Sequence, residues 1–385
     1  MDDQNRPLQR PIKTENMKLR LFLLSLFIPL TLFASAATIP DSLQNDPPSK
    51  KVRVGAYYFD GWDSPETTLL TTQLKGEFKS RESKWGWVTS SQNVMDSQIL
   101  SARRAGLDFF SFCWYYNKKD TVLTNRLNKS VRYFQNSGIK NGFKYTLMVA
   151  NHEGFEIGPK DWEELKKVWI KQFHNASYVK SEGKPLIVFF SVTSLLKHFK
   201  KPALLKAALA DFKADAIKSG LKGVTLGTCV KAGDPNIDLA ERLGFDVLTG
   251  YNYHESGFNK LVDHSKDIPL DSLQSAEKRV WTKIASQTKL NYLPVSTLGW
   301  DPRAWANKSN RYNELPYYAP LSSNSVYNSL LNCKRWVMSN PKKVTPEKLM
   351  ILYAWNEYGE GAYLTPSKNG DNFLRGVRNA IDFNK

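Results

Sequence analysis

The chain is poor in the residues that most often announce a reaction. Three cysteines and five histidines occur in 385 residues. Cys113, Cys229 and Cys333 can close one bridge at most, so no disulfide framework is available. Cys113 and Cys229 sit in apolar, strand-like runs, the setting of buried, inert thiols. The histidines show no His-x-x-x-His spacing and the cysteines no Cys-x-x-Cys spacing, which removes sequence support for a metal site. No Gly-x-Gly-x-x-Gly follows the first strand-like run and no phosphate loop occurs, so neither a dinucleotide nor another cofactor is expected. Internal repeats and long low-complexity segments are also lacking.

Acidic residues are fewer than basic ones, 37 against 54, for a formal charge of +17. Without residues 1–36, which hold five basic and three acidic residues, the charge is +15. Such a balance suits an anionic glycan, but the lysines are scattered, with only short clusters such as Lys118-Lys119, Lys166-Lys167 and Lys342-Lys343, and solubility explains them equally well. No helix-turn-helix, zinc-finger or RNA-recognition signature accompanies the charge, so no nucleic-acid partner is expected.

Residues 18–37 have a basic start, an apolar stretch interrupted by Pro29 and an Ala-x-Ala ending at Ala36, the pattern of a secretory signal peptide. The run is too short and interrupted for a membrane anchor. Export to the periplasm or medium is expected, with no lasting membrane anchor, a leader over 1–36, a polar linker over 37–50 and one domain over 51–385. Met17 is an alternative start.

Within 51–385, eight apolar runs alternate with amphipathic stretches: Val52–Phe59, Leu107–Trp114, Phe143–Ala150, Pro185–Ser191, Gly223–Cys229, Phe245–Tyr251, Tyr292–Leu298 and Leu349–Trp355. Most are continuously apolar, as in parallel strands covered on both faces. Helical patterns fall at about 92–105, 202–219, 235–243, 270–288, 325–339 and 371–381. Two more carry end signals. One has Asp120 as N-cap, Leu123, Leu127, Val131 and Phe134 on one face, and Gly138 past its end. The other opens on Asp161, Glu163 and Glu164 and turns Leu165, Val168 and Phe173 inward. Eight strands alternating with eight helices predict an α/β fold, a single (β/α)8 barrel, with long loops after strands 1 and 7.

Active sites of such barrels lie at the C-terminal ends of the strands. Those positions hold Asp60 and Trp62 after strand 1, Trp114 and Tyr115 after strand 2, and Asn151, His152 and Glu153 after strand 3. Strand 6 leads to Tyr251, Asn252, Tyr253 and His254, and strand 7 to Trp300 and Asp301. Strand 8 runs into Trp355, Asn356, Glu357, Tyr358 and Glu360. Aromatic faces beside Asn, Asp and His suit a sugar, whose C–H faces stack on rings while its hydroxyls need fixed partners. Glu357 and Glu360 are the candidate catalytic pair. In a helical turn their spacing sets side chains about 5–6 Å apart, near the about 5–5.5 Å of retaining glycosidases. The other named residues are candidate substrate contacts, with a polysaccharide or oligosaccharide as the partner.

Several segments together resemble the glycoside hydrolase family 99-like group. They are Val52 to Trp62, Arg81-Glu82-Ser83 with Trp85-Gly86-Trp87, Gly106 to Tyr115, Lys144 to His152, Tyr178 to Pro185 and Trp355 to Pro366. The resemblance spans about 52–380. It implies a (β/α)8 barrel that cleaves glycosidic bonds with retention. It further implies that Glu357 is the general base, taking the proton of a sugar 2-hydroxyl so that an anhydro intermediate forms, and that Glu360 is the general acid. Parts of the wider group are described as glycosyltransferases of surface-polysaccharide synthesis, so a transferase or transglycosylase, or a binding barrel without activity, stands as the alternative. Family 99 proper has His where Gly359 stands, and the wider group often has an acidic residue where Thr365 stands. Both departures loosen the implied specificity for mannan and leave the pair intact.

Overall fold

The computed structural model describes residues 52–118, 125–258 and 267–383. The expected leader and linker, and Asp120 with Leu123, lie outside the described residues.

Eight parallel strand positions form one sheet: β1 (Arg53–Tyr58), β2 (Phe109–Trp114), β3 (Lys144–Val149), β4 (Lys184–Phe189), β5 (Thr225–Cys229), β6 (Val247–Thr249), β7 (Asn291–Tyr292 and Val295–Thr297) and β8 (Leu349–Tyr353). The order along the sheet is the second part of β7, then β8, β1, β2, β3, β4, β5, β6 and the first part of β7. The seventh strand thus closes the ring in two steps, since Asn291–Tyr292 pairs with β6 and Val295–Thr297 with β8. Pro294, which has no N–H for a ladder, stands between the two parts. Side chains of a neighbouring helix brace the second part: Thr297 N donates to Glu277 at 2.5 Å, and Trp281 Nε1 donates to the Val295 carbonyl at 2.7 Å.

The helices are α1 (Gln92–Ala105), α2 (Lys129–Asn136), α3 (Pro159–Phe173), α4 (Pro202–Lys218), α5 (Asn236–Leu243), α6 (Leu270–Ser286), α7 (Ser323–Ser339) and α8 (Leu374–Asp382). Two further helices are the short Thr72–Lys75 in the loop after β1 and Val192–Phe199, which precedes α4. The continuous apolarity of the strands follows from this layering. On β2, Cys113 approaches Tyr251 of the interior at 3.9 Å, while Phe112 and Trp114 pack edge-on against Phe134 of α2 and Trp169 of α3. All three cysteines are free, with Cys113 and Cys333 buried and Cys229 half-buried.

Two helices differ from their sequence patterns. α2 begins at Lys129, after a short 3-10 turn over Arg126–Asn128 in which the Asn125 side chain accepts from Leu127 N. Leu127, Val131 and Phe134 are buried as expected. On α3, Leu165 and Phe173 point inward, but Val168 is only half-buried and Trp162 and Trp169 carry the packing. Lys166 is not a solubility residue: it is 1% exposed and its ammonium meets Glu163 at 3.0 Å, Asp215 at 2.8 Å and Asp211. It thereby ties α3 to α4 and fills the one three-carboxylate cluster found among the described residues. No described helix is long and apolar enough to cross a membrane.

The loops after β1 and β7 are long, as expected, and they meet. Arg81 pairs with Asp301 at 2.5 Å, Thr71 Oγ1 donates to the Ala304 carbonyl at 2.5 Å and Gln73 Nε2 to that of Ala306 at 2.9 Å.

Candidate active site

Beyond β8 the chain passes a cis Tyr353–Ala354 peptide and enters a small hairpin, with Asn356 facing Tyr363 and Glu357 facing Ala362. Its tip is a 3-10 turn over Tyr358–Glu360, closed by Gly361 at φ +67°, a conformation glycine adopts without strain. The glutamates therefore sit on a hairpin and its tip, not on an α-helical turn. Asn356 fixes the hairpin against β1, since its Oδ1 accepts from Phe59 N at 2.8 Å and its Nδ2 donates to the Phe59 carbonyl at 2.7 Å.

Both carboxyls face one cavity of about 870 Å³. Glu357 is 3% exposed; Tyr251 Oη donates to its Oε1, and its Oε2 is buried with no protein partner. Burial, then the negative charge of Glu360, pushes its pKa up to about 8, against the Tyr251 hydrogen bond. Glu360 is also pushed above the usual carboxylate range by burial, opposed by two donors to its Oε2: Trp300 Nε1 at 3.0 Å and Tyr353 Oη. A proton on Glu360 thus belongs on Oε1, the oxygen to which neither donor points.

Of the other candidates, Tyr115, His152, Tyr251, Asn252, His254 and Trp300 also line this cavity. His254 lies flat on Trp300, with ring centroids 3.9 Å apart and planes 15° apart, and its Nδ1 is 2.5 Å from Asn252 Oδ1. Burial lowers its pKa to about 4, so it is neutral near pH 7. His152 packs edge-on against Phe155 and Phe190, and its Nδ1 lies 3.0 Å from the Glu153 carbonyl.

The structure places the remaining candidates off the cavity wall, mostly in the scaffold behind it. Asp60 accepts from Ser130 N at 2.5 Å and Ser130 Oγ at 2.7 Å, joining β1 to the first turn of α2. Trp62 donates to the Asn356 carbonyl at 2.9 Å and packs on Tyr358, which takes a hydrogen bond from Thr365 at 3.1 Å. Trp114 faces α3, and Trp355 is buried against Phe110 with its Nε1 on Gln98. Asn151 exchanges hydrogen bonds with the Ser191 backbone at 2.7 and 3.0 Å. Tyr253 bonds Tyr292 Oη at 2.7 Å, Asp301 pairs with Arg81 and Arg303, and Glu153 is exposed. The physical reason is common to most of them. A strand end alternates inside and outside, and the first residues of a following loop spend polar groups on turning the chain.

Several wall residues escaped the sequence reading. Tyr353, off the wall but bonded to Glu360, was also missed and was within reach, as the last residue of β8. Arg126, Lys231 and Asp234 come from turns that no periodicity places. Trp305 and Tyr312 belong to the loop after β7, which was legible as site-building only as a whole. The two cations are each met by a carboxylate, Arg126 by Asp63 at 2.8 Å and Lys231 by Glu255 at 2.5 Å.

Comparison with solved structures places the fold. A protein described as glycoside hydrolase-like superposes with a TM-score of 0.61 at 14% identity, over 86% of this chain and 94% of the other. The GH99 endo-alpha-mannosidase of Bacteroides thetaiotaomicron gives 0.56 at 14% identity, over 86% and 97%. The complex of that enzyme with bis-tris propane gives 0.56 at 13%, over 86% and 96%. At these identities the likeness is one of fold, the (β/α)8 barrel. No curated protein matches the sequence. The sequence profile of the family described as Glycosyltransferase WbsX matches residues 87–377, well over half of the chain. With its barrel built like those of the GH99 enzymes, the chain belongs to the WbsX family, a GH99-like group.

Proposed function

We propose that this chain is an exported glycoside hydrolase that cleaves a glycan with retention at Glu357 and Glu360. One observation carries the reading: two carboxyls with raised pKa values, Glu357 buried and Glu360 half-buried, face one large cavity, and Glu357 keeps a buried oxygen without a partner. A carboxylate oxygen buried without a donor is costly. A sugar hydroxyl supplies that donor. The free Oε2 suits Glu357 to the general base, whereas the two donors on one oxygen of Glu360 suit it to the acid, which then delivers its proton from Oε1.

In the first step the sugar 2-oxygen bonds to C1 as its proton passes to Glu357, and the C1–O bond to the leaving group breaks as Glu360 protonates the departing oxygen. In the second, water adds to C1 with Glu360 taking its proton, the C1–O2 bond opens, and Glu357 returns a proton to O2. Two inversions at C1 give net retention. The paired state of Arg126 and Lys231 leaves no free cation among the described residues of the wall, which favours an uncharged sugar at the pair over an anionic one. Export rests on the leader pattern over residues 18–36.

The family description favours a second reading, sugar transfer from an activated donor. Purified protein lacking residues 1–36 should release oligosaccharides from a member of a plant, fungal, algal and bacterial polysaccharide panel with no nucleotide sugar present. Turnover only on addition of a nucleotide sugar would replace hydrolysis by transfer. NMR of the first-formed product should show the substrate's anomeric configuration, and the opposite configuration would refute retention.

A further inference from the structure

Gly359 lies between the two glutamates, and the space where its side chain would stand is taken. A Cβ there would come within 1.9 Å of Trp305 Cε2 and 2.0 Å of its Nε1. No side chain fits at 359 while the indole keeps this seat. The indole arrives from the neighbouring strand's loop, on the 3-10 turn Pro302–Trp305 after β7. That turn is held from below: Asp301 is bound by Arg81 and by both Nε and a terminal nitrogen of Arg303, and Thr71 holds the Ala304 carbonyl. So firm a mount fixes a ring that lines the cavity. The ring is also left with a buried N–H that has no acceptor, an unusual state for a buried polar group.

We infer that Trp305, seated on Gly359, is a substrate-contacting, specificity-determining residue that presents its ring to a sugar bound beside the glutamate pair. The inference rests on the glycan reading above. An aromatic face covers the apolar C–H side of an uncharged sugar ring. Gly359 is then required for the room it leaves, and the two residues act as one unit.

The test is calorimetric binding to full-length mature protein carrying Glu357→Gln, so that no turnover occurs. The probes are neutral gluco-, manno-, galacto- and xylo-oligosaccharides of four units. Trp305→Ala should weaken the best of these by about tenfold or more, the scale of truncating a buried aromatic contact, and Trp305→Phe, which keeps a ring and loses the N–H, by less. Gly359→Ala should cost as much as Trp305→Ala, and the double variant no more than either, because the second change removes a contact already lost. Thermal melts establish that each variant is folded. Affinity unchanged by Trp305→Ala, or costs of the two substitutions that add, overturns the inference alone. Failure of the Trp305-intact Glu357→Gln protein to bind any of these sugars overturns the glycan reading and this inference with it.

Discussion

Asp60 and Glu357 are both buried carboxyls just past the C-terminal end of a barrel strand, and burial raises both, Asp60 to about 7 and Glu357 to about 8. Their surroundings separate them. Asp60 has Ser130 on both oxygens and lies off the wall of the cavity, so its polarity is spent on holding β1 to α2. Glu357 has one donor, one bare oxygen and open space in front. Burial and a shifted pKa mark both residues equally; an unmet hydrogen bond facing a cavity marks one of them. That deficit, which folding alone does not repair, is the better sign of a site built for something absent.

The comparison is broken most directly by substitution. Glu357→Gln and Glu360→Gln should each lower kcat by about two to four orders of magnitude, the usual worth of a catalytic acid or base, in protein that melts cooperatively. Asp60→Asn should do the reverse, costing about 1–3 kcal/mol in denaturant unfolding because it disturbs a buried hydrogen-bonded pair, with kcat of the folded fraction preserved. Near-native turnover in either glutamine variant sinks the assignment.

The donors sharpen it next. Tyr251→Phe and Tyr353→Phe each remove a hydroxyl that steadies a carboxylate. A hydrogen bond to a charged group is worth about 1.5–3 kcal/mol, so steady-state rates should fall by about ten- to a hundredfold. Tyr353→Phe should also move the alkaline limb of the rate profile up, since the Glu360 anion has lost a donor, and Tyr251→Phe the acid limb, since the Glu357 anion has.

The pH profile of the unaltered enzyme comes third. The working form carries one proton on the pair. With both carboxyls protonated the base is quenched, and with both ionised the acid is lost. The rate should therefore follow a bell whose alkaline limb, where the last proton leaves the pair, lies above the usual carboxylate range because burial raises both groups. A flat rate between pH 5 and 10 argues against an acid–base pair.

The smallest effect is on stability, and its sign is opposite to that on activity. The folded pKa of Glu357 is raised above the usual carboxylate value. Between that usual value and about 8 the native state therefore holds more protons than the unfolded chain, and stability falls as pH rises through this window. Replacing Glu357 by Gln removes the penalty. Melting temperature should rise by a few degrees at pH 8, and the gain should vanish below about pH 4, where both states are protonated. A gain that persists at low pH would assign it to packing instead.

Much of this architecture was legible in the sequence, for reasons that residues make plain. Eight apolar runs and the helix over 92–105 were readable because parallel strands buried on both faces have no polar alternation and an amphipathic helix has its own period. The aromatic, glycine-broken setting of Glu357 and Glu360 singled out a segment that the structure brings to the cavity. Legibility ended where the chain turns. Trp62, Trp114 and Trp355 share the composition of cavity aromatics, but local hydrogen bonds and outward packing decide their direction. Trp305 and Lys231 reach the cavity only because loops distant in sequence are anchored beside it. Lys166, in a pair of lysines indistinguishable from surface charge, is buried by acidic partners up to 49 residues away.

The split seventh strand has a consequence for how disturbances travel. Where its second part lacks a full ladder, Glu277 and Trp281 of α6 supply the missing partners, so the ring is completed through its outer layer. Three residues past Thr297, the same chain delivers Trp300 to Glu360. A lesion on the buried face of α6 is therefore joined to Glu360 by a run of a few residues. In this barrel, remoteness from the cavity is no measure of irrelevance to it.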